Sequence, residues 1–235
     1  MGMPTDFDFD GEVVLVTGAS GALGSGICAA FESAGATVHA TDLVTPDDDD
    51  SLLDADCEFH EADLTDEDDV ERVVNDVVEA EGRLDALCNI AGTWQGGQPI
   101  DETSNDEFET LFDINLRTMF LASKHAIPQL RETEGAIVSV SAKSSLEGGE
   151  GDGPYRAAKA GVRLLTETIA AENRGELRAN AIMPKTIDTP ANREMLSGDP
   201  DDWPTPEEIA PVVCALCSDA TGVTSGAAVP VYGEA

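Results

Sequence analysis

Short runs of valine, isoleucine, leucine and alanine alternate along the chain with longer stretches in which apolar residues recur every three or four positions. The short runs, 12–17, 36–41, 57–61, 84–90, 135–141, 177–183 and 227–232, are continuous rather than alternating, as strands covered on both faces should be. Helices are expected in the gaps. Val70, Val73, Val74, Val77 and Val78 follow the spacing of one helical face, with acidic residues on the other. Thr65-Asp66-Glu67-Asp68 gives this helix a capping-box-like entry with Asp in place of Glu. Ser104-Asn105-Asp106-Glu107 and Thr205-Pro206-Glu207-Glu208 match the box fully, the second with proline at the first helical position. Helix starts are therefore expected near 66, 105 and 206. Strands and helices in this alternation predict an α/β fold, a doubly wound parallel sheet of about seven strands with helices on both faces. No repeat, low-complexity linker or break in composition divides residues 1–235, so one domain is expected.

Composition narrows the partners. The 235 residues are 41% hydrophobic, enough for a core, yet 47 Asp and Glu stand against 13 Lys and Arg, a net charge of −34. Such a charge opposes binding to nucleic acid or to an anionic membrane. No stretch reaches the roughly 20 apolar residues of a membrane span, and Met1 to Gly11 has neither a basic region nor an apolar run, so a cytoplasmic location is expected. Only four lysines occur, Lys124, Lys143, Lys159 and Lys185, and this acidic, lysine-poor composition resembles that of proteins from salt-loving organisms. The five cysteines form an odd, scattered set expected to stay reduced, with Cys214 and Cys217 as helix-packing residues. The run Asp47 to Asp50 lacks the glycine and glutamate spacing of a calcium loop and reads as a solvated loop, so no metal site is expected.

The first strand runs directly into Thr17-Gly18-Ala19-Ser20-Gly21-Ala22-Leu23-Gly24, and Ile27, Phe31 and Ala34 follow at helical spacing. A glycine-rich turn between a strand and a helix lets backbone N–H groups and the positive helix end approach a pyrophosphate, as in Rossmann-type dinucleotide sites. Asp42 closes the second strand, where a carboxylate accepts bonds from an adenosine ribose. It also repels a 2′-phosphate, and no Arg or Lys precedes Arg72 to hold one, so NAD(H) is expected as cofactor rather than NADP(H).

These motifs, with others further along, resemble the short-chain dehydrogenase/reductase family over nearly the whole chain. Thr17-Gly18-x-x-x-Ala22-x-Gly24 is similar to its T-G-x-x-x-G-x-G, with Ala22 at the middle glycine. Asp63-Leu64 resembles its adenine-contacting pair, and Asn89-Ile90-Ala91-Gly92 resembles its N-N-A-G with Ile90 in place of an asparagine. Asn115 is similar to its helix asparagine, and Tyr155-x-x-x-Lys159 to its catalytic signature. Pro184-Lys185-Thr186-Ile187-Asp188-Thr189 resembles the segment that grips the nicotinamide, with Lys185 replacing glycine. The resemblance implies that Lys159 also holds the nicotinamide ribose, that Asn115 supports a water relay to it, and that the chain forms a homodimer or homotetramer through helices near 106–131 and 154–173. Lys124, Arg156 and Arg163 on those helices would soften contact between acidic subunits.

Tyr155 and Lys159 are one helical turn apart and project from one face, about 6 Å between Cβ atoms. A neighbouring ammonium favours phenolate, so Lys159 is expected to lower the Tyr155 pKa and make the phenol a general acid/base. The family's serine, thirteen residues before the tyrosine, is Ala142 here. Ser141, the candidate replacement, stands next to it on the pleat, where its side chain should face the opposite side of the strand, with Ser144 and Ser145 as further candidates if the loop bends. The stretch from Ala142 to Gly148, with alanine at that position, resembles dihydropteridine reductase-like members of the family, as does Ala91 to Gly97 with Trp94. Trp94, Ala142, Met195 and Trp203 are candidate substrate-pocket residues, and 188–204 a candidate lid. The reading that results is an NAD-dependent oxidoreductase acting on a small carbonyl or alcohol. The alternatives are an NADH-dependent reductase of a quinonoid dihydropterin and a NAD-sensing or scaffold protein without turnover.

Overall fold

The computed structural model describes residues 7–48, 51–53 and 57–233; Met1 to Asp6, and Asp49 and Asp50 of the acidic run, lie outside them. Its strands are β1 (Val13–Thr17), β2 (Thr37–Asp42), β3 (Glu58–Glu61), β4 (Ala86–Asn89), β5 (Ala136–Val140), β6 (Arg178–Pro184) and β7 (Ala228–Val231). Each lies within two residues of its expected limits, and all pair in parallel in the order β3-β2-β1-β4-β5-β6-β7. The order reverses between β1 and β4, and in open α/β sheets the ligand crevice lies at such a reversal, beyond the strands' carboxyl ends.

The helices are α1 (Ala22–Ser33), α2 (Glu67–Glu81), α3 (Asn105–Phe112), α4 (Thr118–Glu132), α5 (Gly153–Glu172), α6 (Pro190–Met195) and α7 (Pro206–Cys217). Strand side chains point alternately to the two faces. Val14 and Val16 of β1, with Cys88, Val138 and Ile182, join the core that holds Ile27 and Phe31 of α1 and Ile209 and Val213 of α7. Val13 and Leu15, with Leu87 and Ile137, join the opposite core with Val70, Val73, Val74 and Val77 of α2 and residues of α4 and α5. Two apolar layers therefore clamp one sheet. Of the expected capping boxes, the one at Thr205 and Glu208 closes in both directions. Ser104 accepts from the Glu107 N–H as a simple cap, and α2 is capped by Asp66, whose carboxylate accepts from the N–H groups of Asp68 and Asp69, while the Thr65 hydroxyl is donated to Asp63.

One further expectation is corrected. The helix foreseen over 106–131 is interrupted by a π turn, Asp113–Arg117, between α3 and α4, where the Thr118 N–H bonds the Asp113 carbonyl five residues back. The five cysteines are free, as expected, and Cys57 Sγ donates to Glu32 Oε1 at 2.8 Å. Cys214 and Cys217 are buried packing residues, as expected. No helix among the described residues is long and apolar enough to cross a membrane.

Candidate active site

The glycine-rich loop begins where β1 ends. Gly18 has φ +65°, and a Cβ there would fall 2.6 Å from Ala91 Cα; one at Gly24 would fall 2.1 Å from the Gly18 carbonyl oxygen. Both positions therefore admit only hydrogen, and the turn brings bare backbone to the start of α1. That helix starts at Gly21 with no side-chain cap and no acidic residue in its first turn, unlike α2, α3 and α7. Its first N–H groups and its dipole suit an anionic phosphate, so the residues present fit a dinucleotide.

The neighbouring side chains brace this loop. Asp42 accepts from the N–H of Ser20 at 3.1 Å and of Leu43 at 2.7 Å, linking the end of β2 to the turn. Ser20 is buried with its hydroxyl donated to the Val44 carbonyl, and Leu23 belongs to the core, so these two shape the loop from behind. Ala22 is half-buried and Gly21 exposed at the helix start. Thr17 Oγ1 accepts from the N–H groups of Ile90 and Ala91 at 3.1 and 3.3 Å, tying the turn to the end of β4. In the sequence Thr17 stands only as the first residue of the glycine-rich pattern, and nothing local marks its hydroxyl as a tie to the end of β4. Asp63 bonds the backbone and hydroxyl of Thr65, and Leu64 beside it is buried. Asn89 is turned inward: its Nδ2 donates to Ser123 and Ser139 between β4, α4 and β5, so its amide serves the interior rather than the crevice.

Across the crevice, Asn115 sits in the π turn, 1% exposed. Its amide donates to the Thr93 carbonyl at 2.9 Å and accepts from the Thr93 N–H at 3.1 Å, while a second donor contact reaches the Leu111 carbonyl. A π bulge widens a helix and displaces its side chains, and here it brings the amide against the loop after β4. A Cβ on Gly92 would meet both Asn115 Oδ1 and Lys159 Nζ at 2.9 Å, so the two groups converge on one bare glycine. Lys159 is 4% exposed, and Nζ donates to the Val140 carbonyl at 2.9 Å. Burial lowers its pKa to about 8.

Tyr155 stands one turn earlier on α5, half-buried. Its phenol is pushed up to about 12 by burial and by the negative charge of Asp152, the reverse of the lowering expected from Lys159. The physical reason is that desolvation and the Asp152 carboxylate both act against the phenolate, while the Lys159 ammonium is aimed at a strand carbonyl. Ser141 is also corrected. Its hydroxyl donates to the Lys159 carbonyl at 2.8 Å and contacts Ser145 at 3.2 Å, and the residue is 1% exposed, on the far side of the pleat from the crevice. Ala142 is buried at the start of a short 3₁₀ turn, Lys143–Leu146, and contributes a methyl group where the family pattern has a hydroxyl.

The mouth is framed by two loops. Gly97 N–H donates to the Gly151 carbonyl at 2.6 Å, closing the loop that carries Trp94 onto the entry to α5. Trp94 is 40% exposed and Met195 58% exposed, while Trp203 is half-buried against Gly198. Pro184 ends β6 buried, and Ile187 and Thr189 follow half-buried; Thr189 caps α6 through the Asn192 N–H. The segment 188–204 is tied at its base by Asp188 N–H to the Pro204 carbonyl at 2.9 Å and by the Asp188–Arg193 ion pair. The cations expected to soften subunit contact are engaged within the chain: Lys124 with Glu67, Arg156 with Asp152 and Arg163 with Glu167.

A family model described as Enoyl-(Acyl carrier protein) reductase matches residues 18–233. The chain is 32% identical to the meso-2,3-butanediol dehydrogenase of Serratia marcescens over 97% of its own length and 95% of that protein's. It is 30% identical to the 3-oxoacyl-acyl-carrier-protein reductase of Thermotoga maritima, with 95% and 97% covered. Among solved structures, the ligand-free aldohexose dehydrogenase of Thermoplasma acidophilum superposes with a TM-score of 0.86 at 28% identity, covering 99% of this chain and 95% of that one.

Proposed function

The chain belongs to the short-chain dehydrogenase/reductase family, and from that premise we propose that it is an NAD(H)-dependent oxidoreductase converting a small alcohol and its carbonyl compound. The observation that carries this reading is the convergence of Lys159 Nζ and Asn115 Oδ1 on Gly92, with Tyr155 one turn away on α5. When bound, the nicotinamide supplies hydride chemistry that no side chain offers.

The chain's own residues do the rest. Gly18, Gly21, Ala22 and Gly24 admit the pyrophosphate at the start of α1, and Asp42 takes the adenosine ribose while repelling a 2′-phosphate. Asp63, Leu64, Ala91 and Gly92 line the adenine and ribose side, and Pro184, Ile187 and Thr189 the nicotinamide side. Tyr155 holds the proton that is given to the carbonyl oxygen in reduction and takes it from the alcohol in oxidation. Lys159 orients the ribose and favours phenolate once its ammonium is turned from Val140, and Asn115 clamps the loop after β4 so that a water reaches Lys159. Trp94, Met195 and Trp203 are assigned to the substrate pocket, and 188–204 to a lid over it.

Ala142 favours one second reading. With Ser141 spent on the Lys159 carbonyl and a methyl group at Ala142, neither of these two residues supplies a hydroxyl to a substrate carbonyl, which suits a C=N substrate of the quinonoid dihydropterin kind. Both readings carry the same setting: a protein of a high-salt cytoplasm, given the charge of −34, and a homodimer or homotetramer, given Phe108, Phe120 and Leu164 exposed on α3, α4 and α5. The test is NADH oxidation in molar chloride against ketones and diketones, 3-oxoacyl thioesters, sugars and quinonoid dihydropterin. Turnover on one carbonyl class supports the first reading, turnover on the dihydropterin alone supports the second, and silence on all of them with NADH bound overturns both.

A further inference from the structure

Two helices of the chain open on the same pair of residues. Thr205-Pro206-Glu207-Glu208 begins α7, and Thr189-Pro190-Ala191-Asn192 begins α6. In both, the threonine hydroxyl accepts from the main-chain N–H three residues on, at 3.3 Å from Glu208 and 3.1 Å from Asn192. The side chains at that third position then part. Glu208 returns its carboxylate to the Thr205 N–H at 2.9 Å, a reciprocal arrangement confined to the helix start. Asn192 instead reaches past its cap, and Nδ2 donates to the Ile187 carbonyl at 2.8 Å, two residues before Thr189.

For starting a helix, asparagine is the poorer choice at this position. It brings no negative charge to the helix dipole, and its amide is not returned to the Thr189 N–H. What it adds is a donor, which a carboxylate lacks. That donor is spent on the segment after β6, where Ile187 and Thr189 are half-buried, as is Asn192 itself. One residue thus binds two of the three groups assigned to the nicotinamide side, Ile187 through its side chain and Thr189 through its main chain. The Thr189 hydroxyl, as an acceptor of an N–H, keeps its own proton to donate, and the Ile187 carbonyl keeps a second lone pair. The other ties of the segment do not use the Asn192 side chain: Asp188 N–H donates to Pro204, Asp188 pairs with Arg193, and Arg193 N–H donates to the Thr189 carbonyl.

We propose that Asn192 is a positioning residue for the nicotinamide: its side-chain amide fixes the Ile187 carbonyl relative to the Thr189 hydroxyl, and so sets how tightly the nicotinamide half of the dinucleotide is held. The proposal rests on the reading that Ile187 and Thr189 lie on the nicotinamide side. A residue that serves only the start of α6 is replaceable by glutamate, as α7 demonstrates with Glu208. A residue that holds Ile187 is not.

Asn192→Glu gives α6 the box that α7 already has while removing the donor, and Asn192→Ala removes the donor without adding charge. Parent and variants are titrated by calorimetry in molar chloride with NADH and with ADP-ribose, which lacks the nicotinamide. Asn192→Glu is expected to melt no lower than the parent. In both variants the affinity for NADH should fall about fivefold relative to that for ADP-ribose, the share of one hydrogen bond. An unchanged ratio of the two affinities in the folded variants, or a ratio that rises, overturns the proposal and leaves the nicotinamide placement standing. A parent protein that binds NADH no more tightly than ADP-ribose overturns that placement, and the proposal with it.

Discussion

Lys159 donates from Nζ to the main-chain carbonyl of Val140 at 2.9 Å, across the gap between α5 and the end of β5. The next residue returns the connection, Ser141 Oγ donating to the Lys159 carbonyl at 2.8 Å. Two bonds from consecutive strand residues therefore fix the helix that presents Tyr155. An ammonium kept there is almost wholly withdrawn from water, and this desolvation lowers its proton affinity.

Lys159 makes stability depend on pH with a defined sign. Its folded pKa, about 8, lies below the unfolded value, so the unfolded chain holds more protons between pH 8 and about 10 and stability rises with pH across that window. The penalty of the buried charge is fully present below pH 8 and relieved above it. Relative to Lys159→Met, the native protein should gain about 1 to 3 kcal/mol from pH 8 to 10 by denaturant titration. A constant difference between the two contradicts the burial argument.

Ser141→Ala should cost stability rather than chemistry. Loss of the bond to the Lys159 carbonyl is worth about 1 to 2 kcal/mol, seen as a lower Tm, with kcat changed less than about threefold. A loss of two orders of magnitude or more in kcat at unchanged Tm would put the hydroxyl on the substrate.

Asp42→Asn should relax the choice of cofactor. The variant keeps one acceptor for the Ser20 or Leu43 N–H but loses the charge facing a 2′-phosphate. The ratio of kcat/KM for NADPH over NADH should rise about tenfold, equal to about 1.4 kcal/mol. An unchanged ratio, with both cofactors bound, removes Asp42 from the ribose.

The layout was legible in the sequence where one local pattern decided one structure. Continuous apolar runs gave all seven strands, and the valine stripe of 70–78 gave α2 and its buried face. Glycines 18 and 24 were readable because their spacing between a strand and a helix has few other uses. What stayed hidden depended on three-dimensional balance. The π turn at Asn115 has no local marker, since its sequence Asp-Ile-Asn-Leu-Arg suits an ordinary helix. The pleat alone turns Ser141 away from the family's serine position, but that its hydroxyl is taken by the Lys159 carbonyl depends on where α5 packs. The rise in Tyr155 proton affinity reflects burial and the Asp152 carboxylate, whereas helical spacing records only that Lys159 lies one turn away.

Salt should stabilise the fold. The charge of −34 repels itself over a screening length of about 10 Å at 0.1 M salt and about 3 Å at 1 M. Tm should therefore rise by several degrees between dilute and molar chloride. A Tm that falls over that range removes the high-salt setting.

The most direct test of the central claim is Tyr155→Phe, assayed in molar chloride for NADH turnover on the best substrate and for NADH binding by fluorescence. The account predicts binding within about twofold of the parent protein and a fall in kcat of at least two to four orders of magnitude, the share of a general acid/base. Turnover retained at the parent rate contradicts the assignment of the proton transfer to Tyr155.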